Sequence, residues 1–106
     1  MNYELAKQLK EAGFPQKGRG EFQHCLDDEE EEIVYHATLE EFIEAVPKYI
    51  GKATFVLGSA NQGKEWIACY FDFATNRGSE FNESGSTPVE AVARLWLALH
   101  AAGAIA

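Results

Sequence analysis

Apolar positions recur every three or four residues at the start of the chain, the spacing of an amphipathic helix. Asn2 stands where an N-cap is expected, and Gly13 supplies a left-handed stop. The stripe between them consists of Tyr3, Leu5, Ala6, Leu9 and Ala12. We therefore predict a first helix here, followed by a loop over residues 14–20, where proline and glycine are frequent.

A second helix is predicted after Thr38, because Thr38 and Glu41 have the identity and spacing of a capping box. Pro47 is unfavourable in a helix interior, so this helix is expected to end near it. Its apolar face consists of Leu39, Phe42, Ile43 and Val46.

The closing helix has the clearest start in the chain and is predicted to cover Pro88–Ala102. Thr87 can cap it, Pro88 suits its first turn, and Glu90 stands at its third position. Two apolar stripes meet in it: Val89, Val92, Ala93, Trp96 and Leu99 form the first, and Ala91, Leu95, Ala98 and Ala102 the second.

This excess of apolar surface favours a protein interface on the closing helix, since one small sheet covers only one side of a helix. The candidate interface residues are Leu95, Leu97 and Ala98, and the simplest partner is a second copy, in a homodimer. In the alternative, the first or second helix covers that side and the chain is a monomer.

Alternating apolar residues predict a β-hairpin between the second and third helices. Its strands are residues 53–57 and 64–73, joined by a turn over residues 58–63. In the second strand Trp66, Ala68 and Tyr70 share one face. The other face is also apolar, which is typical of a central strand or of a sheet with one adhesive face. Further strands are predicted at residues 21–26, 33–37 and around Phe81.

These elements predict a single α+β domain over residues 1–106, with a small, mostly antiparallel sheet packed by two or three helices. The composition agrees, because 46% hydrophobic residues suffice for one core. No stretch approaches the ~20 apolar residues of a membrane span, and the N-terminal residues lack a signal-peptide pattern. We expect a cytoplasmic protein that does not bind membranes.

The net charge of −8 is concentrated in one run of six acidic residues. This candidate acidic patch consists of Asp27, Asp28, Glu29, Glu30, Glu31 and Glu32. It is predicted to be a solvated, mobile loop; a nucleic-acid decoy is the alternative, and a calcium loop is disfavoured because the run contains no glycine. Direct nucleic-acid binding is unfavourable, since this charge repels phosphates.

No catalytic, cofactor or metal site can be assembled from the sequence, so we predict a protein that is not an enzyme and has no cofactor. The residues considered are His24, Cys25, His36, Cys69 and His100. Their spacing does not provide two close pairs of zinc ligands, and neither cysteine stands beside an activating motif. Both are interpreted as free thiols, with Cys69 a small apolar core residue. The glycines near Lys17 and Arg19 lack phosphate-loop spacing.

Three stretches resemble a group of small uncharacterised proteins encoded by bacteriophages and prophages. The group's patterns are a capped TLEELIEA helix, a W-x-A strand and a closing helix of the form GSTPEEAVARLWLAL. Here they correspond to residues 38–45, 66–68 and 85–99, and the opening residues 3–15 are also similar. The resemblance implies a phage or prophage origin and a bacterial host cell as the location.

A second resemblance is to antitoxins of the HicB type, in which a helix beginning G-D-T-x-E-E-A follows a small sheet. The matching residues are Gly85, Thr87, Glu90 and Ala91. The sequence thus favours a non-enzymatic phage or prophage accessory protein that binds a protein partner and interferes with host defence. An antitoxin-like or nucleic-acid-linked regulator is the alternative.

Overall fold

The fold is α+β, with three helices and two antiparallel sheets, as the sequence predicts. The computed structural model describes residues 1–27 and 30–105. The helices are α1 (Tyr3–Glu11), α2 (Leu39–Ala45) and α3 (Pro88–Ala101). The strands are β1 (Glu21–Asp27), β2 (Glu30–His36), β3 (Tyr49–Ile50), β4 (Ala53–Ala60), β5 (Glu65–Asp72) and β6 (Arg77–Gly85).

The core lies between the four-stranded sheet and the helices. This sheet has the order β3-β4-β5-β6, and α3 lies against β5 and β6. On its other side α3 packs against α2 and α1. Ala68 and Tyr70 of β5 are fully buried under α3. Phe14 sits between Phe42 and Trp96, with ring centroids 4.8 and 5.1 Å away.

Local capping signals place all three helices where the sequence predicts them. The Asn2 side chain accepts a hydrogen bond from the Leu5 amide at 2.8 Å. Both hydrogen bonds of the capping box at Thr38 are present. The Thr87 hydroxyl accepts from the Glu90 amide at 3.2 Å, and Pro88 occupies the first turn. No helix in the described ranges is both long and apolar enough to cross a bilayer.

The β structure is more extensive than predicted and is divided between two sheets. Strand β6 is nine residues long, where the sequence indicated a short strand around Phe81, and the short edge strand β3 was missed. Strands β1 and β2 form a separate two-stranded sheet and do not extend the central one. We call this two-stranded sheet the arm.

The prediction that residues 27–32 form a loop is wrong for the residues that the structure describes, because these belong to the strands of the arm. Asp27 is the last residue of β1, and Glu30, Glu31 and Glu32 belong to β2, in register with β1. Asp28 and Glu29 lie outside the described residues. The Glu32 carboxylate lies 3.2 Å from Lys10 Nζ of α1, and Lys10 also donates to the Ile33 carbonyl at 2.8 Å. A basic residue of α1 thus offsets part of the acidic charge.

The predicted interface on α3 is corrected at one of its three residues, Leu95. Leu95 has no exposed surface because α1 and α2 cover the side that the central sheet leaves uncovered. Leu97 and Ala98 are half-buried. The three helices therefore bury most of one another's apolar surface, and this leaves the far face of the central sheet without a helix.

Candidate functional site

The outward-facing side of the central sheet carries apolar side chains, and none of the three helices described packs against it. We call it the open face. Because alternate residues of a strand share a face, the strand register assigns three cross-strand rows to it. The rows are Tyr49–Thr54–Phe71–Gly78, Val56–Cys69–Asn82 and Gly58–Ile67–Ser84. These three rows contain no charged residue, but Glu65, which pairs with Ala60 at the end of the two strands, lies on the same side of the sheet, and alternation in β6 places the exposed Glu80 there between Gly78 and Asn82.

The margins of the open face carry two exposed aromatic side chains. Tyr49 is 67% exposed on β3, and Phe73 is 69% exposed just beyond β5. The rings of Phe71 and Phe73 meet edge to face, with centroids 4.8 Å apart. Aromatic side chains beside an apolar patch are typical of a protein contact, where aromatic residues often provide much of the binding energy.

Cys69 lies at the centre of the open face, half-buried between Val56 and Asn82 of the neighbouring strands. This corrects its interpretation as a core residue, since its neighbours Ala68 and Tyr70 face the core. Partial burial raises the pKa of the Cys69 thiol. The thiolate is therefore disfavoured, and Cys69 provides apolar contact surface in place of a nucleophile.

A polar cluster fixes the arm to the body of the protein. The buried Tyr35 hydroxyl donates to Glu41 at 2.7 Å and accepts from the Gly20 amide at 2.5 Å. Glu41 Oε1 also accepts from the Thr38 amide at 3.0 Å. Gln16 Oε1 accepts from the Tyr35 amide at 2.9 Å. The loop, β2 and α2 thus share one hydrogen-bonded junction.

The hydrogen bonds at this junction shift two pKa values in opposite directions. Donation from the Thr38 amide, and then from Tyr35, lowers the pKa of Glu41. Burial, together with the neighbouring Glu41, raises the pKa of Tyr35. The pair is therefore a carboxylate and a neutral phenol at neutral pH, an arrangement that positions the arm and leaves no proton to exchange near pH 7.

The lowered pKa of Glu41 predicts a dependence of stability on pH. A carboxyl group with a lower pKa in the folded state stabilises the fold above its unfolded pKa, about 4.3, and this contribution is lost as the pH falls through the folded value. The Glu41→Gln variant keeps the capping geometry but does not titrate. Between about pH 5 and pH 3 the free energy of unfolding should fall less in Glu41→Gln than in the wild type, measured by urea denaturation. Equal slopes would contradict the assignment.

The histidines and cysteines do not converge on one site. His24 and Cys25 are adjacent on β1 and point to opposite faces. His36 pairs in register with Glu21, four residues or about 13 Å along β1 from Cys25. Its ring nitrogen lies 2.6 Å from the Gln23 side chain, and burial and the N-terminal amine lower its pKa. Among the described residues, no three potential ligands are placed to hold a metal ion.

The remaining candidates lie elsewhere. His100 stacks on Trp96 in α3, with ring centroids 5.0 Å apart and planes 6° apart. Cys25 and Cys69 are both free cysteines, as predicted, and lie in different sheets. The open face was missed as a site, although the sequence did signal it through the apolar character of both faces of residues 64–73.

Comparison with known proteins adds no homologue to this description. No family model, curated protein or solved structure matches the chain.

Proposed function

We propose that this protein is a non-enzymatic binding protein that recognises a protein partner through the open face. The supporting observation is the apolar centre of this face, formed by Val56, Ile67, Cys69 and Phe71, which no helix covers and which the exposed Tyr49 and Phe73 flank. Burying one such aromatic or aliphatic side chain contributes about 1.5–3 kcal/mol.

The partner's chemistry follows from the chemistry of the face. The rows of this surface contain no basic residue that could attract phosphates, and the chain's charge of −8 repels them. A protein surface with exposed aliphatic and aromatic groups is the complementary partner. Together with the sequence resemblance, this leads us to propose a cytoplasmic phage or prophage accessory protein that binds a host protein and interferes with host defence.

The antitoxin-like and nucleic-acid-linked alternative has less support. It depends on the match at Gly85, Thr87, Glu90 and Ala91: Gly85 ends β6, Thr87 is the N-cap of α3, and Glu90 and Ala91 lie in the first turn of the helix. There the Thr87 hydroxyl accepts a hydrogen bond from the Glu90 amide, and the Glu90 carboxylate accepts from the amide and hydroxyl of Ser86. A general helix-start signal is therefore sufficient to account for the match.

The proposal can be tested by affinity purification of partners from bacterial lysate. The bait is compared with variants of two exposed phenylalanines, one at the open face and one on the arm. Phe73 is 69% exposed at the open face, and Phe22 is 60% exposed on the arm. We expect a partner that the wild type and the Phe22→Ser variant both retain to be lost from the Phe73→Ser variant. The amount of partner recovered should fall by at least about tenfold, because removal of an aromatic hot spot typically costs about 2 kcal/mol or more. Loss with Phe22→Ser and retention with Phe73→Ser would overturn the assignment.

Thiol protection supplies an independent readout with the purified complex. Cys69 lies within the open face and Cys25 on the arm. Partner binding should slow the alkylation of Cys69 and leave that of Cys25 unchanged, as measured by peptide mass spectrometry. If Cys69 reacted equally fast with and without the partner, the partner would not cover this face.

A further inference from the structure

The central sheet has two outer edges, and the β6 edge is protected against further pairing. β6 includes the charged residues Arg77, Glu80 and Glu83, and an irregularity interrupts its register with β5. The Ser84 carbonyl accepts a hydrogen bond from Arg94 of α3 at 2.9 Å. Charged side chains, bulges and covering groups are the devices by which proteins prevent another strand from pairing with an edge.

The opposite edge of the sheet is only partly covered. β3 is two residues long and pairs with the start of β4, where the Lys48 carbonyl also accepts from the Phe55 amide at 2.9 Å. The preceding Pro47 lies on the core side, because its carbonyl accepts from the hydroxyl of the buried Tyr70 at 2.7 Å. In the described part of the chain, no strand lies along this edge beside residues 56–60.

The uncovered part of β4 presents backbone hydrogen-bonding groups. Because the Phe55 amide bonds to Lys48, the backbone groups of Phe55 point away from β5. The β4–β5 register is continuous and strand residues alternate in direction, so the amide and carbonyl of Leu57 and of Ser59 point the same way. The eight residues of β4 include no charged residue and no proline. The devices that protect the β6 edge are therefore lacking in β4.

We propose that residues 56–60 of β4 pair with an extended segment of the protein partner, which adds a strand to the central sheet. Strand addition is a recurring mode of peptide recognition, in which backbone hydrogen bonds provide affinity and alternate side chains provide specificity. The added strand would widen the open face by one strand. This inference rests on the proposed function and specifies which part of the partner is recognised.

The side chains of β4 indicate that this segment is apolar. On the open face Gly58 lies between Val56 and Ala60, and a Cβ atom at Gly58 would meet no atom within 4 Å. A large side chain of the added strand can therefore lie over Gly58 and reach Ile67, its neighbour on β5. On the core side Leu57 is half-buried, and no described helix packs closely against β4. Apolar side chains on both sides of an extended segment match these surfaces.

A second copy of the chain does not fit this edge. A symmetric antiparallel pair of β4 strands that uses both outward-pointing residues is centred on Gly58. It places Phe55 of the second copy opposite Asn61, where the turn after β4 begins. Lys48 of the second copy already lies beside that Phe55, so Lys48 and Asn61 would occupy the same space at both ends of the pair. A separate extended segment has no such neighbouring strand.

Selection of displayed random linear peptides on the immobilised wild-type protein tests the edge. Ser59 is exposed and its amide points away from β5, so Ser59→Pro removes an edge donor and blocks a neighbouring strand while the β4–β5 ladder remains. Selected peptides should bind the wild type and the control Ser59→Ala equally, and Ser59→Pro at least about tenfold more weakly. A library that yields no binding peptide, or peptides that bind Ser59→Pro as tightly, would overturn the inference.

Hydrogen exchange followed by NMR remains informative if the proline variant fails to fold. In the free protein the amides of Leu57 and Ser59 should exchange faster than those of Val56 and Gly58, which point toward β5. Saturation with a selected peptide should slow the exchange of Leu57 and Ser59. Peptide binding without this protection would contradict strand addition. Protection that appears without peptide at high protein concentration would also contradict it, because the edge would then belong to a second copy.

The same peptides separate this inference from the proposed function. Phe73→Ser changes the margin of the open face and leaves the β4 edge intact. Peptides that lose affinity for Phe73→Ser and keep it for Ser59→Pro would support binding at the open face and overturn strand addition. The reverse pattern would support strand addition and contradict recognition through the open face, and loss with both variants would support the two together.

Discussion

Replacing Leu95 with alanine should lower the free energy of unfolding by about 2–5 kcal/mol, the range for large-to-small changes in a closed core. Leu95 has no exposed surface and lies in α3, which is enclosed by β5, β6, α1 and α2. With helices on one side and a sheet on the other, the surroundings have little freedom to collapse into the cavity. The residual void therefore adds to the lost transfer free energy.

Leu97→Ala is the matched control for this prediction. It removes the same atoms from the same helix at a half-buried position, where solvent reaches the side chain. The decrease in the free energy of unfolding should be less than half of that caused by Leu95→Ala. Both values are measured by urea denaturation at pH 7. A similar loss for the two variants would mean that Leu95 is not enclosed, and would return it to the interface that the sequence suggested.

Replacing Gly20 with alanine should detach the base of the arm and cost about 1–3 kcal/mol or more, the usual cost of forcing atoms into a filled space. A Cβ atom at Gly20 would lie 1.9 Å from the His36 carbonyl oxygen, a backbone atom at the end of β2. It would also lie 2.9 Å from the Tyr35 hydroxyl. This overlap is relieved only if the segment that contains Gly20 moves away from β2. That movement breaks the hydrogen bond between the Gly20 amide and Tyr35.

Gly58→Ala provides the control, because a Cβ atom at Gly58 would meet no atom within 4 Å. Replacement of a strand glycine at such a position leaves stability unchanged or raises it by about 0.4–1 kcal/mol. Hydrogen exchange should show lost protection of β2 amides in Gly20→Ala, and unchanged protection in Gly58→Ala. Equal protection of the arm in the two variants would show that the close approach at Gly20 does not hold the arm in place.

The sequence alone determined the helices and the strongest hairpin, because their signals are local. Caps at Asn2, Thr38 and Thr87 act on amides two or three residues away, so their effect does not depend on the rest of the fold. The alternation in β5 likewise assigned Ala68 and Tyr70 to one face, and both are buried. The α+β class follows from the order of these elements.

The acidic run shows where local reasoning failed. Consecutive carboxylates indicate a solvated loop when only their repulsion is considered. In the structure Glu30, Glu31 and Glu32 continue the ladder of β2, and Lys10 of α1, more than twenty residues earlier, contacts Glu32. A contact of that kind is set by the packing of α1 on β2 and has no counterpart in the local pattern.

The location of the uncovered apolar surface was decided by the tertiary structure. The sequence shows two elements that are apolar on more than one side, residues 64–73 and the closing helix, and a single chain can enclose one of them fully. The short helices α1 and α2 pack on α3 and bury Leu95, so the outward side of β5, with Ile67, Cys69 and Phe71, is left open. Which surface is covered depends on contacts between elements far apart in the chain, and periodicity within one element carries no information about them.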